Sequence, residues 1–381
     1  MKQPVHICHV IYALKTGGLE NGLVNLINNL PAEKFQHSIV CLTDFDDFAE
    51  RINRNDVEIV SLHKNPGHDF GLYLNLYRVL KRLKPNIVHT RNMTAIEMQI
   101  PAFFAKVKVR IHGEHGWDIS DPQGRNKKYQ WIRKVCGLVI HRFIPLSKEL
   151  ERYLQQVIKI PEDKITRICN GVDAESFIPR NSKKASLLPS KVSKDSVVIG
   201  YVGRMELIKN PENLVRAFIQ LVKNNKNNAF LVMIGGGSQL NTMKQILIEE
   251  KLTEYSWLSG DCSNVAELMR EFDVFCLPSK AEGISNTLLE AMATGLPVVA
   301  TKVGGNADIA EENRTALLVE SDDVANLAKA LETYVSDKGL RELHGNAGRQ
   351  LIEQSLSLKK MVKNYETMYL KETNNLHKEV A

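Results

Sequence analysis

No apolar run in these 381 residues approaches the roughly 18 residues that a membrane-spanning helix requires, so a helical membrane protein is not expected. Cysteine is scarce, six in all, and no two form a CxxC pair. Cys8, Cys41 and Cys276 lie inside apolar strand-like runs, while Cys136, Cys169 and Cys262 are scattered. This reads as buried thiols of a reduced compartment, against a disulfide framework or a zinc site. The opening MKQPVHICHVIY lacks the charged start, apolar middle and small-residue cleavage site of a secretory leader, and a cytoplasmic location is expected. No fixed-period repeat marks a solenoid or a collagen-like chain. With 43% hydrophobic and 25% charged residues the sequence is too apolar to stay disordered.

Positive charge is present in modest excess, +6, and it is unevenly placed. Residues 1–180 hold 26 Lys and Arg against 19 Asp and Glu, and the remainder is close to balanced. Within 101–145 there are nine basic residues and only Glu114, Asp118 and Asp121 as acids. Such a patch can meet phosphates on a lipid, a substrate or a nucleic acid, or simply form a solvated face.

Short apolar runs alternate with stretches of helical period from end to end. VHICHVI (5–11), HSIVCL (37–42), VEIVSL (57–62), NIVH (86–89) and VRIHG (109–113) form one series. Helices are expected after the first of these and near 46–54, 70–83 and 93–104. A second series runs through VVIGYVG (197–203), AFLVMIG (229–235), DVFCLP (273–278) and PVVAT (297–301). This alternation is that of βαβ units and predicts α/β architecture with two doubly wound parallel sheets. The Pro-, Ser- and Lys-rich stretch 179–195 reads as a linker. The expected division is therefore 1–178, a linker 179–195, 196–356, and a terminal helix over 357–381. Leu358, Met361, Val362, Tyr365, Met368 and Tyr369 share one face of that helix. Two such domains leave a cleft at the carboxyl ends of their sheets, where ligands bind.

Three clusters sit at strand ends. Gly17-Gly18 opens a helix after the first strand, which suits close approach of an anion or, equally, a plain strand-to-helix turn. No third glycine follows to complete GxGxxG. After VVIGYVG come Gly203, Arg204 and Lys209, two cations flanking a turn that can converge on one phosphate. After DVFCLP comes Ser279 to Met292, in which Ser285 or Asn286 can cap a helix carrying Glu290, with Glu282 in the loop before it. Two carboxylates so placed can hold separate hydroxyls of an elongated polar ligand, and the amides of Ile284 to Thr287 face an anion. Gly235, in the turn after AFLVMI, suits a backbone loop near a ligand or a packing turn. His112, Glu114 and His115 lack the HExxH spacing, and no metal site is expected.

Taken in order, Gly17-Gly18, His115-Gly116, Asn170-Gly171-Val172-Asp173, Gly203-Arg204 with Lys209, and Glu282 with Glu290 resemble glycosyltransferase family 4, from residue 5 to about 370. GGLENG, RIHGEHG, EGISNTLLEAM and VGGNAD resemble, more narrowly, bacterial sugar transferases associated with exopolysaccharide gene clusters. The resemblance implies the GT-B fold and retaining transfer of a hexose-type sugar from a nucleotide sugar, UDP-linked by preference, to a glycan or lipid-linked acceptor. It gives Arg204 and Lys209 the donor β-phosphate, and Gly17 and Gly18 the same diphosphate from the opposite domain. Glu290 takes the ribose hydroxyls. Glu282, with amides of Gly283, Ile284, Ser285, Asn286 and Thr287, takes the transferred sugar, and His115 touches that sugar. It also implies front-face substitution assisted by the leaving phosphate, domain closure over the donor, and no cofactor or obligatory metal. A nucleotide-sugar 2-epimerase and a non-catalytic nucleotide-sugar-binding protein are the alternatives. Nucleic-acid binding is not expected, since no recognised motif accompanies the basic patch. Segment 125–139, with Arg125, Lys127, Lys128, Arg133 and Lys134 beside Tyr129, Trp131, Ile132 and Val135, reads as a helix able to lie on an anionic membrane, or as an ordinary solvated face.

Overall fold

The computed structural model describes residues 3–379 apart from 68, 119, 122, 181–186 and 224–227. The chain forms two compact units, Met1–Asn170 with Lys359–Ala381, and Gly171–Leu358.

In the first unit, β1 (Val5–Ile11), β2 (Phe35–Cys41), β3 (Glu58–Ser61), β4 (Ile87–Arg91), β5 (Val109–Glu114) and β6 (Arg142–Pro145) pair in parallel, in the order β3-β2-β1-β4-β5-β6. β1 and β4 are buried along nearly their whole length, as in a sheet covered on both faces, although His89, Thr90 and Arg91 make the carboxyl half of β4 polar. Leu72, Leu76 and Leu80 of the helix Gly71–Leu83, four residues apart, seal one face against Val10, Val40 and Val88. Leu23, Val24 and Ile27 of the helix Gly18–Asn29 seal the other against Ile11, Ile39 and Cys41. The helix Leu358–Glu379 belongs to this unit. It buries Met361, Val362, Tyr365, Met368 and Tyr369, each worth about 1.5–3 kcal/mol. Lys34 Nζ donates to Glu366 at 2.9 Å, and Arg142 Nε to Glu372 at 2.9 Å.

The second unit repeats the plan with β7 (Val197–Val202), β8 (Ala229–Ile234), β9 (Ser256–Gly260), β10 (Val274–Leu277), β11 (Val298–Thr301) and β12 (Ala316–Val319), ordered β12-β11-β10-β7-β8-β9 and all parallel. Its core gathers Ile199, Tyr201, Leu231, Met233 and Cys276 with Phe218, Leu327, Leu331 and Tyr334 from the helices outside. In both sheets strand order reverses beside the first strand, between β1 and β4 and between β7 and β10. The crevice outside the carboxyl ends there is the ligand position of such folds.

Four expectations need correction. The boundary lies at Asn170–Gly171, not at 178, because Arg349 donates to the carbonyls of Ala174 and Phe177 while Val172 bridges to Ser357. Residues 181–186 of the expected linker lie outside the described residues. Its described flanks belong to the second unit, Arg180 Nε donating to the Arg270 carbonyl and Lys191 Nζ to that of Thr253. The helix expected near 46–54 is only a 3-10 turn, Asp47–Arg51. The helix expected over 93–104 is two pieces, Met93–Ile96 and Gln99–Phe104, because Pro101 has no N–H to carry the ladder across the join.

Candidate functional site

At the switch point of the second unit, the loop after β7 meets the loop after β10. The Lys280 N–H donates to the Ile208 carbonyl at 2.8 Å. Lys209 Nζ lies 2.6 Å from Glu282 Oε1, and Ser279 Oγ donates to the same oxygen at 2.6 Å. Glu282 is only 9% exposed, so this pair works in a low dielectric where positioning is firm. With Oε1 occupied, Oε2 remains for a further donor. Arg204 is exposed, its carbonyl fixed by the buried Tyr201 hydroxyl at 2.9 Å. Lys209 and Glu282 are thus brought together, and among the described residues no ion pair joins Arg204 to them.

Gly235 must be glycine. Its φ is +128°, and a Cβ there would lie 2.1 Å from the Gly203 carbonyl oxygen. The turn that it opens is held by carboxylates on two sides, Asp261 accepting from the Gly236 N–H and Glu206 from the Ser238 N–H and hydroxyl.

Ser285 caps the helix Asn286–Ala293, its Oγ accepting from Leu288 N at 3.3 Å. Gly283 and Ile284 lead into this cap, and Thr287 Oγ1 lies 3.1 Å from Ser285 Oγ. Glu290, one turn into the helix, is half-buried. Burial pushes its carboxyl up to about 7, and among the described residues no cation or hydrogen-bond donor offsets the penalty.

In the first unit, Gly17 precedes the helix Gly18–Asn29, and the Glu20 carboxylate folds back over it, 2.1 Å from where a Gly17 Cβ would stand. His115 follows β5, its N–H donating to Asn92 Oδ1 at 2.8 Å. Burial, reinforced by the charge of Arg91, pulls its imidazole down to about 3, so it is neutral. Its Nε2 is enclosed and without a hydrogen-bond partner. His112 Nδ1 pairs with Thr90 Oγ1 at 2.8 Å. Glu114 takes a two-point ion pair from Arg133, at 2.7 and 3.1 Å. Burial alone would raise the Glu114 carboxyl, but Arg133 and His112 hold it well below the usual range. Among the described residues no group of three His, Cys, Asp or Glu is placed to hold a metal.

Comparison with known proteins decides the family. Residues 16–176 match Glycosyltransferase Family 4, and residues 184–351 match Glycosyl transferases group 1. The chain belongs to glycosyltransferase family 4. Its relatives include the Escherichia coli UDP-Gal:alpha-D-GlcNAc-diphosphoundecaprenol alpha-1,3-galactosyltransferase, 28% identical over 96% of this chain and 97% of that protein. They also include the Staphylococcus aureus capsular polysaccharide biosynthesis glycosyltransferase CapM, 26% identical over 79% of this chain and 82% of that one. In fold the chain is similar to a glycosyltransferase from Rickettsia africae (TM-score 0.79, 22% identity, covering 98% and 100% of the two chains). It is similar also to Anabaena HepE in complex with UDP (TM-score 0.80, 17% identity, covering 96% and 100%). It is a GT-B transferase, each unit a Rossmann-like parallel sheet.

In this glycosyltransferase several supporting residues escaped sequence reasoning. Ser279 and Thr301 carry no obvious chemistry in the sequence. Yet Ser279 grips Glu282, and Thr301 Oγ1 donates to the Ser279 carbonyl at 2.6 Å. Gly304 and Gly305 brace the Glu282 loop from the next strand: the Gly305 N–H donates to the Gly283 carbonyl at 2.8 Å, and a Gly304 Cβ would lie 1.8 Å from the Glu282 oxygen. The signal was VGGNAD, visible as a motif but silent about its partner. The transferase's basic helix also needs correction. It spans Lys127–Gly137, so Arg125 precedes it, and Arg133 is buried against Glu114. Ile132 is buried as well, whereas Trp131 and Leu138 stand 64% and 81% exposed.

Proposed function

We propose that this enzyme transfers a hexose-type sugar from a UDP-sugar to a lipid-linked or glycan acceptor, with retention of configuration, in exopolysaccharide assembly on the cytoplasmic side of a membrane. The observation that carries the reading is the Lys209–Glu282–Ser279 group at the switch point of the second unit, with unpaired Glu290 in the helix beyond. Lys209 and Arg204 meet the charge that develops on the leaving diphosphate, and preorganised cations of this kind are worth several kcal/mol of barrier. Glu290 accepts from the ribose hydroxyls. Glu282 Oε2, with amides from Gly283 to Thr287, holds the transferred sugar.

On the first unit, Gly17 and Gly18 offer main-chain amides at a helix start, and neutral His115 offers a ring nitrogen to a substrate hydroxyl. Glu282, held by Lys209 and Ser279, is a ligand and not a nucleophile, which favours front-face substitution over a covalent intermediate. The two cations take the place of a divalent ion. The E. coli relative is named for UDP-Gal and a diphosphoundecaprenol-linked acceptor, and the S. aureus relative for capsular polysaccharide biosynthesis, which supports the donor and acceptor classes.

Peripheral contact with an anionic membrane fits the first unit. Arg110 stacks over Phe103 and donates to the Val139 carbonyl, so exposed Phe103, Phe104 and Leu138 lie in one neighbourhood with Lys106 and Lys108. Each cation near such a surface contributes about 1 kcal/mol.

A panel of UDP- and GDP-sugars scored by thermal shift and by release of nucleoside diphosphate tests the reading. Stabilisation by a UDP-sugar with release of UDP is expected. Binding without release points to a sensor, and a sugar epimerised on intact UDP points to an epimerase.

A further inference from the structure

Lys209 and Glu282 stand on different loops, after β7 and after β10, so their 2.6 Å separation depends on what fixes one loop to the other. One tie is in the main chain, the Lys280 N–H on the Ile208 carbonyl. A second comes from a third loop, the one after β12, where the sequence shows no motif. Asp322 Oδ1 lies 3.0 Å from Asn210 Nδ2 and 3.0 Å from Lys280 Nζ. Asn210 directly follows Lys209, and Lys280 directly follows Ser279, whose hydroxyl grips Glu282. A single carboxylate oxygen therefore holds the chain on both sides of the Lys209–Glu282 pair.

The backbone is shaped around this contact. Asn210 and Asp322 both take left-handed angles, φ +51° and +63°. In that conformation Asn210 ends the 3-10 turn Leu207–Lys209 and bends the chain into the helix Pro211–Lys223, which sets the direction from which Lys209 enters the site. Glycine would take either angle freely but brings no side chain, whereas Asn and Asp tolerate it and bring a donor and an acceptor. Asn210 is only 8% exposed, so its amide needs a partner where it stands. Both ends of the Lys280–Asp322 pair are exposed, and such a pair adds little to stability. What the carboxylate supplies is geometry.

We infer that Asp322 is a positioning residue for sugar transfer, which sets Lys209 against Glu282 by holding Asn210 and Lys280 from a third loop. The inference rests on the proposed role of Lys209 at the leaving diphosphate. Asp322 acts through its neighbours, and a shift of about 1 Å in a group that meets developing charge is enough to slow a reaction severely.

The test uses the full-length protein, with UDP as the calorimetric probe and UDP-galactose as the donor in single turnover. Asp322→Gly removes the carboxylate and takes φ +63° freely, so it is expected to keep its Tm while UDP release slows about tenfold and UDP binds several-fold more weakly. Asp322→Asn keeps the acceptor oxygen and tolerates the same angle, and is expected to stay within about twofold of wild type in both readouts. In a Lys209→Ala background Asp322→Gly is expected to cost nothing further, because the group that it positions is gone. If UDP-galactose is not turned over, UDP affinity across the same variants decides. A fully additive loss in the Lys209→Ala background, an equal loss in Asp322→Asn, or wild-type behaviour of Asp322→Gly would overturn the positioning role. Failure of UDP to bind the wild-type protein would instead overturn the donor reading.

Discussion

Replacing Glu290 with Gln should make the ligand-free protein more stable and a poorer binder at once. Glu290 sits half-buried with nothing among the described residues to offset its charge, and its carboxyl is raised from the ordinary 4.5 to about 7. The folded state therefore holds a proton that the unfolded chain releases. Below pH 4.5 both states are protonated and the group is neutral in its effect. As pH rises through 7 the folded carboxylate must ionise in its desolvated position, and by pH 8 the loss approaches about 3 kcal/mol. Gln stays neutral throughout and does not lose this increment. For a unit of this size the gain corresponds to roughly 6–10 °C in Tm at pH 8, fading to nothing near pH 4.5. Differential scanning calorimetry from pH 4.5 to 8.5 measures it. In the same variant the charge-assisted hydrogen bonds to the ribose become neutral ones, so UDP should bind about tenfold more weakly. A variant no more stable than wild type at pH 8 would refute the desolvation argument. Unchanged UDP affinity would remove Glu290 from the ribose site.

Three further expectations follow from particular contacts. Gly304→Ala places a Cβ against the Glu282 carbonyl at φ +53°. Chemical denaturation should show a loss of about 2 kcal/mol, with turnover falling further because the Glu282 loop is displaced. Glu114→Gln leaves Arg133 buried and unpaired, and should cost about 3–5 kcal/mol in the same assay, whereas doubly apolar replacement of the pair should cost less. Co-sedimentation with anionic vesicles at low salt should fall several-fold when Trp131 and Leu138 are both changed to Ser; unaltered sedimentation would leave this face as ordinary solvated surface.

Sequence periodicity exposes the strands whose buried runs are largely apolar, above all β7 (VVIGYV), β8 (AFLVMI) and β10 (VFCL). It passes over β6, β9 and β12. These are edge strands of four or five residues, and β9 (SWLSG) is half-buried and carries two serines and a glycine. The site was legible where a residue type is itself the chemistry, as with Arg204, Lys209, Glu282 and Glu290 at strand ends. Its support was not legible. Ser279, Thr301 and Gly304 act through contacts with residues up to some twenty positions away that only the sheet order brings together. The same gap misplaced Arg133. In the sequence it completes a basic helix face, and only the register of β5 shows Glu114 waiting beneath it.

In the proposed reaction, cations in the second unit drive sugar transfer from a UDP-sugar by stabilising the leaving diphosphate. Single-turnover transfer from a UDP-sugar, followed by UDP release in wild type, Arg204→Ala and Lys209→Ala at saturating donor, tests it most directly. Rates lower by about 100-fold or more are expected in each variant, with Tm nearly unchanged in Arg204→Ala and lowered in Lys209→Ala, which leaves buried Glu282 without its cation. Near-normal transfer rates in both variants would contradict it.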